Sequence, residues 1–267
     1  MMLDERSKHL RRLVVKAVEA DRRGHIGPAL SIIEILRVLY DSFLRVDPAR
    51  PQWAERDRFI LSKGHGCLAL YAILADKGFF PEKELLNFCK PSGLLGGHPE
   101  INKEIGIEAT TGALGHGLSI GVGMAIAAKI RKQSFRVAVV VGDGEINEGS
   151  VWEAAMSASK HCLSNLTVFV DYNKLQSYGS VNEVLELEPL LDKWRSFGFH
   201  SEEVDGHDVY SLTRLVQRLP IASEKPTAII CHTIKGKGFS FAEGNPQWHH
   251  KSGISADEIT AMYESLT

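Results

Sequence analysis

Two apolar runs constrain this chain more than any other feature. Val-Ala-Val-Val-Val at 137–141 leads into Gly142-Asp-Gly-Glu145, and Leu-Thr-Val-Phe-Val-Asp at 166–171 leads into Tyr172-Asn-Lys174. Short apolar runs closed by turn residues read as strands buried on both faces of a parallel sheet. Each run delivers a polar group at its C-terminal end, the edge where such sheets bind ligands. Asp143 and the amide oxygen of Asn173 are hard donors suited to Mg²⁺ or Ca²⁺. The carbonyl of Leu175, where the chain leaves the second strand, supplies a third oxygen. Gly142 and Gly144 are expected to permit backbone geometry closed to larger residues, so that a diphosphate can approach. A helix near 148–162 would point its N-terminus at that group. The pair of motifs predicts a metal-chelated diphosphate at the mouth of a parallel sheet; Gly-Asp-Gly alone is a common turn.

The rest of the chain repeats the alternation. Helical spacing of Leu10, Leu13, Val14, Ala17 and Val18 predicts a helix over 4–20, broken at Gly24–Pro28 and followed by a second over 29–43. A strand over 57–62 ends in Lys63-Gly-His65-Gly and a helix over 67–77. A Gly-, Pro-, His- and Thr-rich loop spans 89–117; loops of that length are usually functional. It opens into a helix over 118–129 whose small residues allow close packing. After the two central strands come helices over 150–162 and 185–196, a strand over 199–204, a helix over 208–218 capped by Asp208, and a strand over 227–231. The expectation is an α/β fold with a doubly wound, mostly parallel sheet and helices on both faces, one domain over 1–267.

With 31 Lys and Arg against 33 Asp and Glu, and no long basic run, nothing suggests a nucleic-acid partner. No apolar run reaches the ~20 residues of a membrane span, and the charged amino terminus is no secretory signal. Cys67, Cys89, Cys162 and Cys231 lack CxxC spacing. They read as reduced, each a small buried hydrophobe, in a cytoplasmic protein. His25, His65 and His98 each occupy a Gly-flanked loop at a break between elements, which favours function. His9, His161 and His200 read as surface or structural, and His207 as structural.

These motifs resemble the thiamine-diphosphate enzymes and, among them, the transketolase family. The resemblance is carried by Gly24-His25-Ile-Gly27, Asp57-Arg-Phe-Ile-Leu-Ser-Lys-Gly-His65-Gly, Gly97-His98-Pro-Glu100, Thr110-Thr-Gly-Ala-Leu-Gly115, Asp143-Gly-Glu-Ile-Asn-Glu148-Gly and His232-Thr-Ile-Lys-Gly-Lys-Gly238. It covers nearly the whole chain but only the family's amino-terminal half. It implies metal ligation by Asp143, Asn173 and the Leu175 carbonyl, and a backbone contact to the diphosphate at Gly144. His65 lies beside the diphosphate, and Gly112 and Leu114 lie over the cofactor. It implies further that His25 and His98 contact the sugar and that Glu148 couples paired sites at an interface between subunits.

There are departures. Ala113 stands where proline is frequent, His116 where glutamine is frequent, and Gln247-Trp-His-His-Lys251 departs from the family's histidine pattern, leaving His249 as a candidate and Trp248 as lid or packing. The family's activating glutamate belongs to a pyrimidine-binding domain beyond this stretch. The resemblance therefore implies an amino-terminal subunit, inactive alone, of an α2β2 transketolase whose partner is a carboxy-terminal subunit. Sugar phosphates of pentose-phosphate type are the implied substrates, and thiamine diphosphate with Mg²⁺ or Ca²⁺ the cofactors. Rival readings are the α subunit of a 2-oxo acid dehydrogenase E1, a non-catalytic cofactor-binding homologue, and a Rossmann dehydrogenase. The last is weakened because Gly121-Val-Gly123 fails GxGxxG and falls inside a helix.

Overall fold

Five parallel strands organise the chain in the computed structural model, which describes residues 3–267. Helix α1 (Glu5–Asp21) is capped by Asp4, whose side chain accepts the Ser7 N–H at 2.8 Å. A two-residue strand β1 (Arg23–Gly24) follows, then the short helices α2 (Ile26–Leu30) and α3 (Ile33–Val38). Next are β2 (Arg58–Leu61), α4 (Cys67–Asp76), α5 (His116–Ile130), β3 (Val137–Gly142), α6 (Gly149–Lys160) and β4 (Leu166–Tyr172). The chain ends through α7 (Val181–Val184), α8 (Leu190–Ser196), β5 (His200–Asp205), α9 (Val209–Val216), β6 (Thr227–His232), β7 (Lys251–Ser252) and α10 (Ala256–Glu264).

The sheet order is β2-β3-β4-β6-β5, every pair parallel, and β1 pairs antiparallel with β7 in a separate ribbon. Alternate strand residues face opposite layers, as the pleat requires. Val137, Val139, Val141, Val168 and Val170 pack with α5, α6 and α8. Ala138, Val140, Phe169, Ile229 and Cys231 pack with α1, α3, α4, α9 and α10. Helices cover both faces, which is why the central strands read as unbroken apolar runs.

α5 lies close to the sheet because it is built of small residues: a Cβ at Gly121 would stand 2.6 Å from Val139 Cγ2. Gly121 and Gly123 lie within this helix, so they form no dinucleotide turn.

Several sequence expectations are corrected. The single helix expected over 29–43 is broken at Ser31–Ile32 and ends in a π turn over Leu39–Phe43. Ser31 Oγ donates its one proton to Asp171 at 2.7 Å, with the Pro28 carbonyl 3.0 Å away, and this tie to the strand tip fixes the chain at the break. The helix expected over 185–196 begins at Leu190, after the separate turn α7. Helix α10 was not anticipated; Ser255 and Glu258 cap it reciprocally, a signal present in the sequence. Of the four free cysteines, Cys67 and Cys231 are buried, but Cys89 is half-buried and Cys162 exposed. Both of the latter occupy left-handed backbone (φ 56 and 50), in turns rather than packed elements. Among the described residues no helix is long and apolar enough to cross a membrane.

Candidate functional site

The strand register brings four chain segments to one edge. Gly142 pairs with Asp171 and Tyr172 with His232, so the tips of β3, β4 and β6 stand side by side, and Ser62-Lys63 continues β2 beside them. Above these tips lies a cleft of about 470 Å³. His25, His65, His98, Gly112, Leu114, Asp143, Gly144, Glu148, Asn173 and Leu175, all nominated from sequence, line it.

The floor is electrostatic. Asp171 is fully buried and pairs with the buried ammonium of Lys63, which also donates to the Pro28 carbonyl at 3.0 Å. Thr233 Oγ1 and Ser31 Oγ donate to the same carboxylate. Burial alone would raise the Asp171 carboxyl, yet Lys63 and these donors hold it below its ordinary range. Among the described residues no cationic side chain pairs with Asp143. Its oxygens accept the Gly144 N–H at 2.7 Å and the Lys174 N–H at 2.6 Å, but burial, then the charge of Asp171, pushes it up to about 6.

Asn173 Nδ2 donates to Asp171 at 3.0 Å, which fixes the amide orientation. Lys174 adopts a left-handed conformation (φ 66), a strained state for a residue with a side chain, and Leu175 N–H then donates to Asn173 Oδ1 at 3.1 Å. The turn thus ties Lys174 N–H to Asp143 and Leu175 N–H to the Asn173 amide oxygen, and Asp143, Asn173 and Leu175 all line the cleft. Lys235 Nζ donates to the Leu175 carbonyl at 2.5 Å; burial and the nearby Lys63 pull its pKa down to about 8.

One expectation about the glycines fails. Neither Gly142 nor Gly144 has positive φ, and Gly144 sits at φ −65, ordinary helical backbone. A Cβ at Gly144 would crowd the Gln176 side chain at 3.2 Å, so the missing side chain leaves room in the cleft wall instead. Gly112 does need its freedom: φ is 138, and a Cβ there would meet His98 Cδ2 at 2.9 Å. No side chain caps α6, and its N-cap is Glu148, exposed at the cleft.

Four imidazoles, His25, His65, His98 and His249, line the other wall, with His250 beside them. The His25 ring centroid lies 5.5 Å from His65, 5.7 Å from His98, 5.6 Å from His249 and 4.6 Å from His250. His249 stacks on His65 at 5.6 Å. Burial, reinforced by neighbouring rings and ammonium groups, lowers His25 to about 4, His249 to about 3 and His65 well below its usual value; His98 is lowered too. Trp248 is packing: it is buried, lies 5.0 Å from Phe241 and carries Lys251 over its ring at 4.2 Å. Sequence reading passed over Lys63, Lys235 and Glu145. Glu145 accepts from Ser62 Oγ and from the Gly115 and Gly142 N–H groups at 3.0 Å, tying the loop to two strand tips. Their signal lay inside motifs already quoted, as charged residues flanked by glycine.

The depressed histidines predict that His25 stays neutral at pH 5.5, read as an imidazole tautomer signal in ¹⁵N-edited NMR of the free chain; a protonated ring there contradicts the burial. The linkage has a definite sign. Unfolded histidines gain protons below about 6.5, where these rings do not, so they destabilise the fold as pH falls through that value. Asp143 opposes this below about 6, where the folded chain takes the proton first.

The donor chemistry fits a hard divalent cation with a diphosphate. A buried carboxylate without a cation, an amide oxygen and a main-chain carbonyl form an oxygen set of the type Mg²⁺ and Ca²⁺ take. Among the described residues, Asn147 Oδ1, Gln176 Nε2 and His249 Nδ1 of the cleft lining are buried without a partner, as expected where a polar ligand belongs.

Residues 4–267 match the family model described as "Transketolase, thiamine diphosphate binding domain". The chain is 43% identical over 248 residues to a 6-deoxy-6-sulfo-D-fructose transketolase subunit of Clostridium sp. (strain MSTE9), covering 93% of this chain and 90% of the relative. It is 42% identical to an apulose-4-phosphate transketolase subunit of Phocaeicola vulgatus, covering 93% and 88%. A solved transketolase variant from Pichia stipitis superposes with a TM-score of 0.89 at 30% identity, covering 98% of this chain and 40% of that one.

Proposed function

Because the chain belongs to the transketolase family through its thiamine diphosphate binding domain, we propose that it is the amino-terminal subunit of a split transketolase. In this reading it serves the transfer of a two-carbon ketol unit from a ketose to an aldose phosphate. The observation that carries the reading is the single cleft that unites the diphosphate-type floor, Asp143, Asn173 and Leu175, with the histidine wall. The subunit relatives, matched over nearly their whole length, support the split arrangement; full-length transketolases are matched over about 40% of theirs. They also support ketol transfer over the oxidative decarboxylation of a 2-oxo acid.

Asp143, Asn173 and the Leu175 carbonyl would hold Mg²⁺ or Ca²⁺, the cation taking the place of the Lys235 ammonium on that carbonyl and so freeing Lys235 for the diphosphate beside the Gly144 backbone. Bound there, thiamine diphosphate supplies a nucleophilic carbon for the ketose carbonyl. His25 and His98 orient sugar hydroxyls as neutral imidazoles. With its pKa near 4, His25 yields any proton it takes, and the negative charge of bound ligands raises that value towards neutrality. His65 lies between the diphosphate floor and the sugar wall, and Gly112 and Leu114 close over the cofactor. Glu148, exposed on this chain, meets the partner side of the site. The partner is a carboxy-terminal subunit carrying the pyrimidine-binding domain, in an α2β2 cytoplasmic assembly. The donor is a ketose with a terminal anionic group, in keeping with the sulfonated and phosphorylated sugars named for the relatives.

The test is a ketol-transfer assay with thiamine diphosphate and Mg²⁺. The purified chain is expected to give no transfer, and addition of the partner subunit to restore it. Robust transfer by the chain alone overturns the split reading.

A further inference from the structure

Lys235 reaches the cleft from a strap, residues 232–238, that is fastened from behind. The Ile234 N–H donates to His207 Nε2 at 2.8 Å, the Lys237 carbonyl accepts Arg11 Nε at 2.8 Å, and the Gly236 N–H donates to the Gly27 carbonyl at 3.1 Å. His207 and Arg11 share one carboxylate. Glu34 accepts Arg11 Nη1 at 2.5 Å and Nη2 at 3.1 Å, and its Oε2 lies 2.8 Å from His207 Nδ1. Arg11, Glu34 and His207 are all buried, and none lines the cleft around Lys235.

The hydrogen bonds set the tautomer. Nε2 accepts from a backbone N–H, so the ring proton sits on Nδ1 and points at Glu34. Burial alone would raise the Glu34 carboxyl, but Arg11 and His207 hold it at about 2, so it stays an acceptor. A flipped ring would lose both bonds. Lysine is a point charge on a flexible stem, and its ammonium is only as well placed as the backbone beneath it. Lys235 is almost wholly buried and ends on the Leu175 carbonyl, so a shift of the strap is passed directly to the cleft floor.

We propose that His207, oriented by the Arg11–Glu34 pair, is a positioning residue that sets Lys235 at the diphosphate end of the cleft. The inference rests on the cofactor site proposed above and deepens it: a buried triad outside the cleft governs how tightly the diphosphate is held.

The experiment is a double-mutant cycle on the assembled two-subunit complex, reading the Kd for thiamine diphosphate at fixed Mg²⁺ by calorimetry and Tm without cofactor. His207→Ala is expected to weaken binding about tenfold, a typical loss for an outer-shell partner. In a Lys235→Met background the same change is expected to leave Kd where Lys235→Met put it, while the loss of Tm is equal in both backgrounds. His207→Gln, which offers one acceptor and one donor, is expected to recover part of the affinity. Unchanged Kd in His207→Ala, or an equal loss in both backgrounds, overturns the proposal by reducing His207 to a fold-stabilising role. If His207→Ala does not fold, the cycle is run with His207→Gln, and the same two outcomes overturn it. Asp143→Ala in the same assay separates the two readings. Binding lost there but untouched by His207 variants sinks the triad alone; binding kept in Asp143→Ala sinks the cofactor site and the triad with it.

Discussion

Asp143→Ala is expected to abolish metal-dependent retention of thiamine diphosphate in the assembled complex, with Kd rising at least about a hundredfold, or ~2.7 kcal/mol. Asp143 is the one carboxylate among the three proposed ligands, and the site holds it buried and anionic at a cost. Burial and the Asp171 charge push its pKa up to about 6, the behaviour of a carboxylate placed for a cation. Its removal also relieves the repulsion of Asp171 but leaves the Gly144 and Lys174 N–H groups without an acceptor, a loss of ~1–2 kcal/mol. These effects oppose each other, so the cofactor-free variant is expected to melt close to the parent. Ligand linkage then supplies the clean readout. Cofactor at a hundred times the parent Kd stabilises the parent by about 2.7 kcal/mol, and in Asp143→Ala the same concentration is expected to stabilise by no more than about 0.4 kcal/mol. A variant that keeps its shift places the metal and diphosphate elsewhere.

How far the chain could be read in advance follows from where each signal resides. The central strands were legible because burial on both faces leaves unbroken runs such as Val137–Val141, and their register then fixed the site, since Gly142 opposite Asp171 brings the two polar motifs together. Asp143, Gly144, Asn173 and Leu175 line the cleft for that reason, and the loop residues His25, His65, His98, Gly112 and Leu114 meet them there. What failed were features decided by contacts distant in sequence. The second helix breaks at Ser31, whose hydroxyl donates to Asp171, 140 residues away. Spacing in the 29–43 stretch carries no trace of that partner. His249 was only a candidate in the sequence, and what brings it to the histidine wall is the 245–250 turn folding back onto His25 and His65. The left-handed turn at Lys174 was likewise hidden, as nothing in Asn-Lys-Leu announces it.

Lys63→Met is expected to cost ~3–5 kcal/mol, the loss that follows when one partner of a buried ion pair is removed. Against total stabilities of ~5–15 kcal/mol that is a large fraction, and it is visible in a urea melt of the free chain. The reason is topological as well as electrostatic. The Lys63 ammonium bridges the tip of β2, the Pro28 carbonyl of α2 and Asp171 at the end of β4. Methionine fills the stem but leaves Asp171 fully buried with only neutral donors from Ser31, Thr233 and Asn173. The charge, not the shape, carries the penalty, so adding Asp171→Asn to Lys63→Met is expected to recover part of the loss. The pH dependence has the matching sign. In the parent, Asp171 is held below its ordinary range, so its contribution is present above the unfolded value near 3.9 and is lost as pH falls through the folded one. In Lys63→Met the unpaired carboxyl shifts upward instead, and protonation relieves it. The difference between parent and variant is therefore expected to shrink from pH 7 to pH 5. A cost under about 1 kcal/mol, flat with pH, would mean that water reaches the pair and that the cleft floor is not the dry, charge-matched surface on which the diphosphate site depends.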